Sequence, residues 1–355
     1  MRKRLAVLAV IAGLAGANGA QAQVFEIPPP PTLEPQYALG ARYWQSVGKT
    51  RFSINSSKQN PAFGNPTSVL TYEDMDGFSG EFFWYARNDY NTFAKGFVGG
   101  GAVRGGSLDD EDYFAGQVKF SDTYSKIKGD DLIYGTIDVG QRFMLADRTT
   151  IVALSPFIGF NFWQETAAAY GVRCNPDDIG GAFCPTDSVV VPFSVEVINN
   201  EANWASLRLG GELKIKLWDR LTLMGEGAVL PVAYVWNLDS HILRTDLGRL
   251  PNVEDRGTGW GYQLEAALRF DFTEQWSAGA GVRYWYASVG GKASSWISAP
   301  RSRSRTSPAN ASAFTATSAT ISRPSRGGAC LGQAWRLTHG TAGSRVSSAG
   351  RAADL

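Results

Sequence analysis

The sequence predicts an all-β protein, a transmembrane antiparallel up-and-down β-barrel of ten strands. Three observations support it: long segments in which apolar and polar residues alternate, aromatic residues near the ends of those segments, and an export signal at the N-terminus. Alternation with a period of two is the pattern of a β-strand with two different faces. The net charge of +1 over 355 residues gives no basic excess, so nucleic acid is not an expected partner.

The N-terminus has the three parts of a secretory signal. Arg2–Arg4 is a basic start, residues 5–15 form an apolar core too short to span a bilayer as a helix, and Ala20–Ala22 has the Ala-x-Ala form of a cleavage site. We therefore expect a signal peptide at residues 1–22 and favour it over an uncleaved membrane anchor. The Pro-rich segment at residues 23–36 is typical of an extended lead-in.

The alternating segments decide between two classes of β-protein. A soluble sandwich would bury the apolar face, whereas a transmembrane barrel turns that face to lipid and keeps a polar lumen. The segments are long enough to cross a bilayer when tilted, and aromatic clusters near their ends resemble interfacial girdles. These features favour the barrel over a soluble exported β-protein. The clearest alternation lies at 207–217, 262–271 and 277–286.

Short and long connections between the segments alternate, as in outer-membrane barrels with short periplasmic turns and long external loops. The long connections fall near 56–66, 106–130, 167–204 and 239–258. This spacing places a barrel domain at residues 37–291. The predicted strands are 37–54, 66–88, 92–105, 131–144, 150–167, 204–217, 221–238, 258–271 and 276–290.

The end of the chain departs from this pattern. Nine strands do not give the even number that a closed bacterial barrel requires. Residues 292–355 are rich in Ser, Arg, Ala and Thr without alternation, which predicts a disordered, aberrant tail. A frameshift would explain it, because residues 310–320 read one base out of register permit an aromatic, Gly-rich strand. We therefore expect the closing strand to be lost or frameshifted.

Two stretches at the predicted outer rim carry candidate catalytic residues. Residues two apart on a strand share a face, so Asp110 lies beside Asp112, and Asp239 beside His241. A carboxylate next to an imidazole fixes its tautomer and raises its basicity. Opposed carboxylates can hold a water and exchange its proton. The alternative is that these acids are solvated loop residues without chemistry.

The cysteines indicate a local crosslink. Cys174 and Cys184 lie close together in a loop rich in Gly, Asp and Pro, and an exported protein favours a disulfide there. Zinc is a poorer alternative because no histidine accompanies the pair, and we expect no metal site.

Several of these stretches resemble the omptin family of outer-membrane proteases. Omptins are ten-stranded barrels that hydrolyse peptides with a water activated between an Asp pair and an Asp/His pair. Their Asp-x-Asp motif falls on Asp110 and Asp112, and their Asp-x-His motif on Asp239 and His241. The residues that carry the resemblance are LTYEDMD at 70–76, GGSLDDEDY at 105–113, YGTIDV at 134–139, NLDSH at 237–241 and, more weakly, GKT at 48–50.

The resemblance implies an aspartic-type (Asp/His) endopeptidase in the outer membrane of a Gram-negative cell. It implies a monomer that acts on polypeptides, without a cofactor except lipopolysaccharide bound to basic residues of the outer wall. Omptins hold a basic substrate residue with acidic side chains, but the corresponding positions here are Asn237 and Phe52. We therefore expect a preference other than a strict basic residue. The alternative function is a non-catalytic barrel with an adhesive or structural role, while a porin is disfavoured because side chains fill most of a ten-stranded interior.

Overall fold

The computed structural model describes residues 36–58, 60–147, 150–295 and 311–323. The predicted signal peptide and nearly all of the Pro-rich segment lie outside these ranges, so both stay predictions. Within them the secondary structure is β-strand apart from two 3-10 helices of three residues each. None of the helices in the described ranges has the length and hydrophobicity to cross a membrane.

The strands form one antiparallel sheet in the order β4-β3-β2-β1-β11-β10-β9-β8-β7-β6-β5, with an additional pairing between β4 and β6. Because β5 continues along β6 beyond the end of β4, ten long strands each pair with neighbours on both sides. The all-β prediction is confirmed. The strands in the described ranges are β1 (Tyr37–Asn55), β2 (Ser68–Arg87), β3 (Thr92–Phe114), β4 (Val118–Gln141), β5 (Phe143–Asp147), β6 (Thr150–Cys174), β7 (Val189–Trp218), β8 (Leu221–His241), β9 (Val253–Asp271), β10 (Ser277–Ser295) and β11 (Ala311–Arg323).

At one end of the sheet, the strands extend well beyond the predicted limits. The connection expected at 106–130 is mostly strand, because β3 and β4 stay paired up to the turn at 115–117. Asp110, for example, lies opposite Thr123 on β4. The apolar pattern on the outer face stops earlier than the backbone pairing, so the sequence pattern underestimates these strands. The prediction puts Asp110 and Asp112 in a loop, whereas the structure has both on a paired strand.

The prediction that the chain lacks its closing strand is wrong for Ala311–Arg323. This segment is β11, which pairs with β10 from Arg283↔Ser322 to Ser294↔Ala311 and with β1 from Gln45↔Arg323 to Asn55↔Ala313. The ladder uses backbone groups, and the segment contains neither proline nor glycine to interrupt it. The remaining tail, 296–310 and 324–355, lies outside the described residues, and the frameshift stays a prediction about the coding DNA.

The two faces of the sheet have opposite chemistry. The outer face exposes large apolar side chains such as Ile137, which is 50% exposed. The inner face buries charged groups. Arg208 lies 3.0 Å from Asp138 and 2.6 Å from Glu226, and Arg283 lies 2.8 Å from Glu81. A soluble protein of this size would have the reverse arrangement, because charges are buried only at a high desolvation cost.

Removing the centre of this inner network should destabilise the fold. Arg208→Met leaves the Asp138 carboxylate buried without its guanidinium partner, and breaking a buried ion pair in this way costs about 3–5 kcal/mol. Urea unfolding of protein refolded into lipid would measure the loss. Arg256→Met is the matched control, because Arg256 is 59% exposed in its pair with Glu254 and solvent-exposed pairs contribute little to stability. Equal stability of the two variants would contradict the role of the network.

Candidate active site

The four predicted catalytic residues lie at the same end of the sheet, beyond the apolar band of the outer face. At this level the outer face carries charged residues, including Glu254 and Arg256 on β9, which pair at 2.5 Å. Asp110 and Asp112 come from β3, and Asp239 and His241 from β8. His241 is within electrostatic reach of both carboxylates of the β3 pair, so the structure brings the two motifs together.

Asp239 and His241 form a hydrogen-bonded dyad. His241 Nε2 lies 3.0 Å from Asp239 Oδ2, with the imidazole 19% exposed and the carboxylate 6% exposed. Asn252, which is fully buried, holds the backbone of His241 from both sides: its amide nitrogen donates to the His241 carbonyl and its oxygen accepts from the His241 N–H, each at 3.0 Å. The ring is therefore fixed at its backbone and at one nitrogen, which leaves Nδ1 as the nitrogen not bound by Asp239.

Asp110 and Asp112 form the facing acid pair. They lie on the same face of β3, and Ser68 of the adjacent strand, which pairs with Asp112, lies beside them. Burial, and then repulsion from Asp112, raise the pKa of Asp110 to about 7, although His241 opposes the shift. Burial also raises the pKa of Asp112, against the effects of Ser68 and His241. Asp110 can therefore gain or lose a proton near neutral pH.

His241 has its proton affinity set by its partners. Burial lowers the pKa of His241, but the charge and hydrogen bond of Asp239, followed by the charge of Asp110, raise it to about 9. Near pH 8 the site therefore holds an imidazolium facing an ionised carboxylate. A proton donor and a proton acceptor thus lie within electrostatic reach of each other, and these are the two groups that general acid–base catalysis uses.

The two predicted substrate-binding residues are both buried. Phe52 on β1 is 2% exposed and packs edge-on against Tyr72, with 6.1 Å between ring centroids. Asn237 on β8 is 1% exposed and donates its amide to Asp255 Oδ2 at 3.1 Å. Their role in binding stays a prediction. Sequence reasoning missed Asp255 and Asn252, because both lie in or next to the stretch taken as a loop, and only the strand pairing brings them to the site.

Cys174 and Cys184 are paired as a disulfide in the structure, with 5.6 Å between their Cα atoms. The bridge joins the end of β6 to the connection at 175–188. That connection also reaches β4, since Asn175 donates to Asp122 at 2.8 Å. The disulfide therefore constrains an outer connection, while backbone hydrogen bonds between the strands hold the sheet itself together.

Comparison with known proteins identifies the fold. No protein-family model and no curated protein matches the sequence. Among solved structures, the outer membrane protease OmpT from Escherichia coli matches with a TM-score of 0.52 and 9% identity, over 80% of this chain and 94% of that one. A TodX monoaromatic hydrocarbon channel mutant (7% identity, 80% of this chain and 89% of that one) and a Pseudomonas aeruginosa FadL homologue (7%, 80% and 90%) have TM-scores of only 0.15 and 0.17. The resemblance drawn from the sequence is thus confirmed for the fold, and the chain shares the architecture of OmpT.

Proposed function

We propose that this protein is an omptin-like endopeptidase of the outer membrane, which activates a water between the Asp110/Asp112 pair and the Asp239–His241 dyad. The observation that carries the proposal is the meeting of these two motifs, distant in sequence, at one end of the sheet. The fold shared with OmpT supports it. The test compares cleavage of a quenched-fluorescent peptide library by the wild type and by His241→Ala, and equal rates would contradict it.

The proposed setting is a closed transmembrane barrel of ten strands, acting as a monomer. Two features support it: every long strand in the described ranges has partners on both sides, and the outer face is apolar while the inner face is ionic. A bilayer allows no unpaired backbone groups, and a barrel satisfies this by pairing every strand. The filled, ion-paired interior argues against a pore and supports a function at the outer rim.

The proposed reaction balances protons between the two motifs. Asp110 takes a proton from the water as its oxygen bonds to the scissile carbonyl carbon. The tetrahedral intermediate collapses as the C–N bond breaks, and His241 donates its proton to the leaving nitrogen. Asp239 keeps the imidazolium oriented, and Asp112 sustains the proton affinity of Asp110. Transfer of the proton from Asp110 to His241 then restores the starting state.

A basic and aromatic patch on the outer face supports lipopolysaccharide as a partner. Lys126 and Lys128 on β4 lie 5.0 Å and 4.5 Å from the rings of Phe193 and Tyr170, and Arg173 on β6 stacks beside them on Tyr124 at 4.8 Å. Cations held over rings above an apolar wall suit the phosphates of a glycolipid headgroup, with the acyl chains on the wall below.

Neutralising the patch should weaken stimulation by lipopolysaccharide. For Lys126→Gln with Lys128→Gln we expect the lipopolysaccharide concentration giving half-maximal activity to rise about tenfold or more, since two charges at a membrane surface contribute about 1 kcal/mol each. Titration of refolded protein with lipopolysaccharide in a peptide assay measures this. Lys58→Gln, an exposed lysine outside the patch, is the control. An unchanged titration curve in the double variant would place the lipid elsewhere.

An adhesive role remains the second candidate because the outer connections expose aromatic residues. Phe183 is 76% exposed and Phe114 is 60% exposed, on the connection after β6 and at the end of β3. Exposed apolar side chains of this size at a rim are a feature of binding surfaces. Loss of cleavage in the wild type, with the barrel intact, would favour this function over the peptidase.

A further inference from the structure

At the dyad and on the strands beside it, the sheet buries a group of side-chain oxygens that accept no hydrogen bond from any described residue. They are the Oδ1 atoms of Asn200, Asn237, Asp239 and Asp255, on side chains that are each at most 4% exposed. The four residues come from three adjacent strands. Asn200 lies opposite Asp239, and Asn237 lies opposite Asp255. A buried acceptor without a partner costs about 1–3 kcal/mol, so four neighbouring ones need a reason.

A strand outside this group, β2, also buries a polar side-chain atom that lacks a hydrogen-bond partner among the described residues. Tyr72 on β2 is 1% exposed, and its hydroxyl has no hydrogen-bond partner among the residues described. It lies within electrostatic reach of Asp239, Asp110 and Asp255, and its ring packs against Phe52. These residues therefore gather buried polar atoms without hydrogen-bond partners close to the proposed catalytic residues, an arrangement that suits a guest that donates several hydrogen bonds.

Asp255 gives this group of acceptors a titratable charge. Asn237 occupies its Oδ2 at 3.1 Å and leaves Oδ1 available. The groups that act on it are Asp239 and His241 from β8, Tyr72 from β2 and its own neighbour Glu254, while its partner on β10 is the uncharged Ala293. Burial raises the pKa of Asp255 to about 7, with the Asn237 amide opposing and Asp239 adding to the shift. The carboxyl group therefore loses its proton as the pH rises through neutrality.

We propose that Asp255 determines the substrate specificity of this site, and that its protonation state selects between two kinds of substrate side chain. Ionised Asp255 accepts a cationic side chain, because a buried cation needs a counter-charge. Protonated Asp255 favours an uncharged amide side chain, whose N–H groups can donate hydrogen bonds to the side-chain oxygens of Asn200 and Asn237. The inference rests on the peptidase function proposed above. It also explains how a site with Asn237 in place of an acid obtains a negative charge, since the next strand supplies one.

The test uses three peptides that differ only in the residue before the scissile bond: lysine, glutamine or norleucine. The ratio of kcat/KM for lysine to that for glutamine cancels the pH dependence of the shared catalytic groups. In the wild type this ratio should rise about a hundredfold from pH 6 to pH 8, because for a group with a pKa of about 7 the ratio of ionised to protonated form goes from roughly 0.1 to roughly 10. In Asp255→Asn the ratio should be low and independent of pH. Glu254→Gln changes the adjacent carboxylate, which accepts a hydrogen bond from Trp236 on the outer face, and should keep a pH-dependent ratio. Its rise should move slightly to lower pH, because the charge of Glu254 adds to the raised pKa of Asp255.

A wild-type ratio that does not change with pH would overturn the inference, as would an Asp255→Asn ratio equal to the wild type or a preference for norleucine. If Asp255→Asn fails to assemble, Asp255→Glu decides instead, because it retains the charge and should retain the pH-dependent ratio. Cleavage of none of the peptides, nor of any library member, would overturn the peptidase proposal itself. Cleavage whose substrate preference does not depend on the residue at position 255 would overturn this inference alone.

Discussion

His241→Ala is expected to lower kcat/KM for peptide cleavage by at least about 10²–10⁴-fold, the usual contribution of a general acid–base group, without preventing assembly. The imidazole is the group that donates the proton to the leaving nitrogen in the proposed reaction. Its side chain is partly exposed at the rim, so its removal leaves the strand pairing of β8 intact. Heat-modifiable migration on gels and far-ultraviolet circular dichroism would show whether the variant is folded.

The controls separate chemistry from structure. His339→Ala removes the second histidine of the chain, which lies in the tail outside the described residues, and should leave cleavage unchanged. Asp110→Asn and Asp112→Asn should each cost a large factor, whereas Asp109→Asn, on the opposite face of the same strand, should not. If His241→Ala cleaves as fast as the wild type, the dyad is not catalytic and the adhesive barrel becomes the better interpretation.

The sequence already contains the residues of this site, but not their surroundings. The Asp-x-Asp and Asp-x-His spacings are local, and a period of two is enough to put each pair on one face. Alternation also locates the strands where one face is apolar, since lipid imposes a pattern there. Above that band no such pattern is imposed, which is why the outer halves of β3 and β4 read as a loop.

Contacts that depend on the pairing between strands could not be predicted from the sequence in this way. Asp255 reaches Asn237, and Asn252 reaches the backbone of His241, through the register of β8 with β9, which no short motif encodes. The strand β11 is a stronger case. Its Ser, Thr and Ala residues carry no clear period, so pairing at the position between β10 and β1 comes from backbone groups that any sequence without proline can supply.

Cleavage should follow a bell-shaped pH profile with limbs near 7 and 9. The carboxyl group of Asp110 has its pKa raised to about 7, so below that pH it is protonated and cannot accept a proton from water. The rate should then fall about tenfold for each further pH unit. The pKa of His241 is raised to about 9, so above that pH it loses the proton needed by the leaving nitrogen. The active state, with Asp110 ionised and His241 protonated, is thus most populated near pH 8.

Asp239→Asn distinguishes the two limbs. It removes the charge and the charge-assisted hydrogen bond that raise the pKa of His241, while burial, which lowers that pKa, remains. The alkaline limb should therefore move down by one pH unit or more, and the maximal rate should fall as the two limbs converge. The acid limb should move slightly to lower pH, because Asp239 also contributes to the raised pKa of Asp110. Profiles of kcat/KM between pH 5 and pH 10 with a good peptide substrate measure both shifts, because kcat/KM reports the groups of the free enzyme. If the alkaline limb of Asp239→Asn coincides with that of the wild type, that limb does not report His241, and the imidazolium cannot be the proton donor.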